Sequence, residues 1–324
     1  MARSWKKMEN QKNINKKLKI GILVVTYNRK ELLIQCISAI QKQTFSKFDI
    51  YIVDNGSTDG TAETVENKKR SDARIHYLNT GKNLGGAGGF SFGIKRMMQK
   101  GYERFWLMDD DTIPEESALE ELLNADSFLS GNYGFLSSYV VWTDGMPCVM
   151  NRPQLQEDWI TQLQNIKCGL LPVRRATFVS MFLNAEAVNR LGFPIREFFI
   201  WGDDWEYTDR ISAEMNNFFV IRSKVLHKTE NNVGSDVSND SEHRIDRYFY
   251  SFRNEFYLAR RNGTLAVMYY FYRVIGTIRA ILKSNSEKKG KRIMVVVKGM
   301  GSGIFFHPSI EYPVKGQGNE SETD

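Results

Sequence analysis

Continuous apolar runs alternate with helical periodicity along the first third of the chain. Ile20 to Val25 is unbroken and apolar, the pattern of a strand buried on both faces. Lys30 to Gln41 then places Leu32, Leu33, Cys36, Ile37 and Ile40 at helical spacing. A second strand reads from Phe48 to Val53, a helix from about Thr58 to Lys68, and a third strand from Arg74 to Leu78. A glycine-rich loop over 79–89 leads into a helix ending near Gln99, and Phe105-Trp106-Leu107-Met108 is a fourth strand. This strand–helix alternation predicts an α/β fold, a doubly wound and mostly parallel sheet.

Beyond Leu123 the regularity weakens. Residues 134–142, 175–183 and 218–222 read as strands and Asp203 to Met215 as a helix, with a long irregular stretch around Trp159 and Pro172. The last third differs. Tyr248 to Arg261 carries Phe249, Phe252, Phe256 and Ala259 at helical spacing among arginines, and Leu265 to Leu282 is aromatic and aliphatic, interrupted by Arg273. These segments read as too short and too charged to span a bilayer but suited to its interface. The competing use of the aromatic stripe is packing on the main body or on another subunit, as in a homo-oligomer. The expected units are a basic flexible arm at 1–17, a catalytic-type domain at 18–230, and a C-terminal amphipathic helical appendage at 231–324.

Composition is ordinary for a globular chain: 324 residues, 42% hydrophobic and 25% charged. The net charge of +6 matters through its placement. Lysines and arginines crowd Arg3 to Lys19 and again Lys283 to Arg292, as a solvated tail or a contact for an anionic membrane surface. No base-reading or stacking motif accompanies them, so nucleic acid is not an expected partner. Three scattered cysteines fit a reducing compartment, and no signal-peptide core precedes the first strand. The expected location is cytoplasmic, peripheral on the inner face of the cell membrane.

Candidate chemistry gathers at strand ends. Asp109, Asp110 and Asp111 close the fourth strand, delivering clustered carboxylates to the edge where open α/β sheets bind ligands. Such oxygens suit a hard cation, Mn²⁺ or Mg²⁺, which holds a diphosphate. The bland reading makes Asp111 or Thr112 the cap of a helix at Pro114-Glu115-Glu116. Thr26-Tyr27-Asn28-Arg29, Asp54-Asn55-Gly56-Ser57 and Asn83-Leu84-Gly85-Gly86 fall at the other three strand ends. The glycine run has neither G-x-G-x-x-G nor G-K-[ST] spacing. Its glycines would let backbone amides approach a nucleotide's sugar or diphosphate.

These motifs resemble glycosyltransferase family 2, of GT-A fold, over roughly residues 18–230. Asn83 to Phe90 and Trp201-Gly202-Asp203-Asp204-Trp205-Glu206-Tyr207 resemble the bacterial galactofuranosyltransferases within it. The resemblance implies an inverting, metal-dependent transfer from UDP-galactofuranose. It assigns Asp204 as general base, and Asp109, Asp111 and His227 as ligands of Mn²⁺ or Mg²⁺. Thr26, Asn28, Arg29, Asp54, Asn83, Gly85, Gly86 and Asp110 would bind the nucleotide sugar. Trp201, Asp203, Trp205 and Glu206 would meet the acceptor or donor sugar. The acceptor implied is a lipid-linked glycan of cell-surface polysaccharide synthesis. Large polymerising relatives carry an extra N-terminal β domain; here the first strand starts near residue 18, which favours addition of one or a few sugars. The alternatives are a rhamnosyltransferase using dTDP-rhamnose and a non-catalytic sugar-nucleotide-binding protein.

Overall fold

A computed structural model describes residues 18–314; the basic arm expected at 1–17 lies outside the described residues, as do residues 315–324. The first half runs β1 (Ile20–Thr26), α1 (Lys30–Gln41), β2 (Asp49–Asp54), α2 (Thr61–Ser71), β3 (Ile75–Asn79), α3 (Gly85–Gln99) and β4 (Arg104–Asp109). Its strands lie in the order β3-β2-β1-β4, all parallel. Every residue of β1 is buried because each face has its own helical layer. Ile20, Ile22 and Val24 pack with Leu33, Cys36, Ile37 and Ile40 of α1, whereas Leu23 and Val25 pack with Phe90, Ile94 and Met97 of α3. Register pairs Thr26 with Asp54 and Val25 with Asp109, so the polar strand ends share one edge.

The second half holds β5 (Thr112–Pro114), α4 (Ala118–Leu129), β6 (Phe135–Val141), β7 (Gln154–Leu155), α5 (Leu163–Lys167), β8 (Leu170–Arg175), β9 (Met181–Asn184), α6 (Ala185–Leu191), α7 (Asp203–Ser212) and β10 (Phe218–His227). It continues the sheet as a mixed extension, in the order β4-β9-β6-β10-β8-β7. The fold is therefore α/β with a mixed, mostly parallel sheet, as the alternation predicts.

Four local expectations need correction. The apolar stretch 175–183 is not one strand: β8 and β9 pair with different partners, and Ser180 breaks the run at φ 59°. Thr112–Pro114 is a strand on β10 rather than a helix cap, and the helix begins only at Ala118. The glycine run is no loop, since α3 starts at Gly85. Finally, β10 spans ten residues, with a register shift between Val220 and Lys224 that hides its continuity in sequence.

Among the described residues α8 (Tyr248–Arg261), α9 (Thr264–Lys283) and α10 (Lys289–Phe305) come next, and their shared core includes Phe252, Phe256, Tyr270, Val274, Ile281 and Val296. Within α10, a Cβ on Gly299 would lie 2.6 Å from the Phe249 carbonyl oxygen, so glycine permits close contact with α8. The expectation that the second aromatic helix is too short for a bilayer is also corrected. At 20 residues α9 is, by length and composition alone, long and apolar enough to cross one. Its Tyr270, Val274 and Ile281 nevertheless face the bundle, while Leu265 and Tyr272 stand 81% and 72% exposed.

Candidate active site

A cavity of about 700 Å³ opens along the carboxyl edge of β1, β2 and β4. The 199–202 loop, the first turn of α7 and α8 form its far wall. At its floor Asp109, Asp111 and His227 bring ligand-type atoms within 4.8 Å of one another. Pairing of His227 with Thr112 across β10 and β5 sets the histidine beside Asp111. His227 Nδ1 lies 2.8 Å from Asn151 Oδ1, an acceptor, so Nδ1–H donates there and Nε2, once deprotonated, would offer its lone pair to a cation in the cluster. Nε2 is 3.0 Å from Asp111 Oδ1, yet that buried oxygen has no aligned hydrogen-bond partner. An orphaned oxygen beside an oriented imidazole fits a bound divalent cation, and mixed carboxylate and imidazole donors suit Mn²⁺.

The electrostatics agree. Burial pushes Asp109 up to about 7, reinforced by Asp111, and burial raises Asp110 to about 6 against the pull of Arg29. Asp111 is also buried, but His227 and Arg29 outweigh that and hold it below the usual range. His227 rises to about 10 against its own burial because Asp111 stabilises the imidazolium. Unmetallated, the cluster thus depends on protons and Arg29 for compensating charge.

The polar strand ends divide into residues that reach the cavity and residues that build its rim. Thr26 Oγ1 donates to Asp110 Oδ2 at 2.8 Å, and Arg29 Nη1 reaches Asp111 Oδ2 at 2.8 Å; all four line the cavity. Asn83, Gly85 and Gly86 line it too. Gly85 has φ 71°, and a Cβ there would fall 2.0 Å from the Phe199 carbonyl oxygen, so this position admits only glycine. Asn28 and Asp54 do not line the cavity. Asn28 Oδ1 accepts from the Thr58 amide at 2.7 Å. Asp54, fully buried, accepts from the Ser57 amide at 2.8 Å and the Tyr77 hydroxyl at 2.6 Å. The neighbouring Asn55 faces the cavity instead, because side chains alternate along an extended chain.

The opposite wall is a strained loop. Phe199 and Trp201 have φ 64° and Gly202 φ 84°, and buried Asn254 of α8 clamps them, its amide donating to the carbonyls of Phe198, Ile200 and Trp201. Beyond the loop α7 presents Asp203 and Asp204 to the cavity. Burial lifts Asp203 to about 6. Asp204 is raised well above the carboxylate range by burial, then by Asp203 and less by Asp109. Trp201 packs on Tyr248 at 4.9 Å between ring centres, and Trp205 is half-exposed under Arg175. Glu206 is the exception among the expected sugar contacts. It is buried off the cavity, paired with Arg210 at 2.8 Å and Arg261 at 2.6 Å.

Sequence reasoning missed Asn151, Arg247 and Ser251, all at the cavity, and met Glu255 only within the block Arg253 to Tyr257, in a helix expected to bring the acceptor near the site but with packing as the stronger reading. The signal for Glu255 was a lone acid within an aromatic, arginine-rich helix.

The parallel strand–helix half, acidic strand end and helix-borne carboxylate define a GT-A glycosyltransferase fold. Residues 21–130 match the model of glycosyl transferase family 2. The chain is 25% identical over 262 residues to galactofuranosyltransferase GlfT1 of Mycolicibacterium smegmatis, covering 74% of this chain and 83% of that one. It is 34% identical over 106 residues to the GalNAc(5)-diNAcBac-PP-undecaprenol beta-1,3-glucosyltransferase of Campylobacter jejuni, 32% of this chain and 33% of that one. Among solved structures, GalNAc-T7 with UDP, GalNAc and Mn²⁺ superposes with TM-score 0.55 at 14% identity, covering 74% of this chain and 51% of that one. At that identity the likeness shows the fold.

Proposed function

We propose that the protein is a metal-dependent, inverting glycosyltransferase that moves galactofuranose from UDP-galactofuranose to a hydroxyl of a lipid-linked glycan. The observation that carries this reading is the meeting of Asp109, Asp111, His227 and Asp204 in one cavity. Thr26, Arg29, Asn55, Asn83 and Gly86 hold the nucleotide end. Asp204 removes the proton of the acceptor hydroxyl while that oxygen bonds to the anomeric carbon and the bond to UDP breaks, inverting the centre. Mn²⁺ or Mg²⁺ on Asp109, Asp111 and His227 would supply positive charge to the departing diphosphate. Arg29 and Arg247 at the same cavity add fixed positive charge.

The galactofuranose donor draws support from the relative named for that transfer, and the lipid carrier from the relative whose name specifies PP-undecaprenol. The exposed apolar face of α9, with Lys283, Lys288, Lys289 and Lys291 nearby in sequence, suits peripheral attachment to an anionic membrane. The test is sugar-nucleotide turnover across a donor panel, with and without Mn²⁺, using a lipid-linked glycan extract as acceptor. Mn²⁺-dependent release of UDP from UDP-galactofuranose is expected. Turnover of dTDP-rhamnose alone would reassign the donor and keep the mechanism.

A further inference from the structure

Helix α8 contributes a carboxylate to the cavity that the metal cluster and the base leave unused. Glu255 Oε1 accepts from the Ser251 hydroxyl at 3.1 Å, and Oε2 lies 3.3 Å from Arg273 Nη1 of α9. Its side chain keeps 31% exposure, at the cavity wall. An ionised carboxylate offers about four lone-pair sites, so these two tethers leave acceptor capacity free. We propose that Glu255, positioned by Ser251 and Arg273, recognises hydroxyls of the acceptor sugar, an assignment that rests on the transfer reaction proposed above.

Charge excludes the donor's diphosphate as its ligand. A nucleoside diphosphate already faces three aspartates at the floor and needs the cation and Arg29 there; a further carboxylate would repel it. A neutral polyol has the opposite character, since its hydroxyls donate charge-assisted hydrogen bonds to a carboxylate. The surrounding wall supplies what a sugar ring also needs: Trp201 and Tyr248 give an aromatic surface for its C–H face. The wall is also in fixed relation to the base. Asn254, the residue before Glu255, clamps the loop that leads into Asp204, and Gly202 of that loop abuts Asn254 and Leu258. Arg273 extends the connection outward. It belongs to the helix whose exposed residues include Leu265, Met268 and Tyr272.

The test compares wild type, Glu255→Ala, Glu255→Gln and Ser251→Ala, with octyl β-D-galactofuranoside, octyl α-L-rhamnopyranoside and octyl N-acetyl-β-D-glucosaminide as acceptor probes. UDP affinity is measured by titration calorimetry with Mn²⁺. Glu255→Ala is expected to raise the acceptor KM about tenfold or more, with Glu255→Gln intermediate and UDP affinity held within about twofold. An unchanged acceptor KM with a lowered melting temperature would make Glu255–Arg273 only a staple between α8 and α9 and overturn the assignment. Equal losses in acceptor KM and UDP affinity would overturn it as well, by placing Glu255 on the donor side. A wild type that transfers to none of the probes from any sugar nucleotide overturns the functional reading itself, and this assignment with it.

Discussion

The two walls of the cavity are built by different means. The donor wall is the edge of a parallel sheet, where strand register alone brings Thr26, Asp109 and the start of the Asn55 turn together. The facing wall is a loop with positive φ at three of four residues, Phe199, Trp201 and Gly202, held by one buried asparagine from a helix more than fifty residues later. A sheet edge places side chains through hydrogen bonds shared along whole strands, whereas the clamped loop depends on a few contacts at one point. Substitutions on the donor wall should therefore act through charge and ligation, and those on the facing wall through position.

The largest expected effect lies where the walls meet. Asp204→Asn keeps an acceptor for the Trp205 amide, which the native carboxylate binds at 2.8 Å, but cannot take a proton. A fall in kcat on the order of 10³ is expected, with UDP binding retained. Near-wild-type turnover by this variant would move the base elsewhere. Next in size is His227→Ala, which removes one ligand-type nitrogen and leaves Asp111 paired with Arg29 alone. UDP affinity in Mn²⁺ should drop by about 10- to 100-fold, while UDP affinity in a chelator stays unchanged. Equal losses in both conditions would deny His227 a metal-linked role.

How far the sequence reveals each wall follows the same division. Asp109, Asp111 and the end of β1 were legible because a buried strand followed by polar residues announces a sheet edge. Even there the sequence does not separate Asp54 from Asn55, since the turn after β2 decides which of two adjacent side chains lines the cavity. Glu206 had a local warning: Arg210 stands four residues on, the spacing of an ion pair on one helix face. Nothing local reveals the Asn254 clamp, and the lone acid Glu255 marks its helix without fixing its place, because both depend on α8 docking over a loop distant in sequence. Helix α10 was obscured by its glycines, which lower helical propensity while permitting the close contact with α8.

Glu206 sharpens the distinction between chemical and structural acids on α7. Glu206→Ala would strand Arg210, itself buried, and cut the link to Arg261. A stability loss of about 3 kcal/mol is expected. Denaturant unfolding should register it, and donor KM should move little while the enzyme remains folded. A large kinetic defect without destabilisation would return Glu206 to the sugar site.

The smallest effect separates the two acids in the opposite direction. Asp204 is raised well above the carboxylate range by burial and by its acidic neighbours, so the folded protein binds its proton more tightly than the unfolded chain does. Below the unfolded pKa, about 4, both states are protonated and the group costs nothing. As pH rises from there toward the folded pKa, ionisation costs the folded state more than the unfolded one, and stability falls. Asp204→Asn escapes that cost. Its melting temperature should match wild type near pH 3.5 and exceed it by about 2 °C at pH 7, a gain bought with the loss of turnover. The same shift places the acid limb of the wild-type rate profile above the ordinary carboxylate range, because only ionised Asp204 accepts the proton. A variant no more stable than wild type across this window would mean that Asp204 carries no burden of burial, and the positional account of the facing wall would lose its electrostatic counterpart.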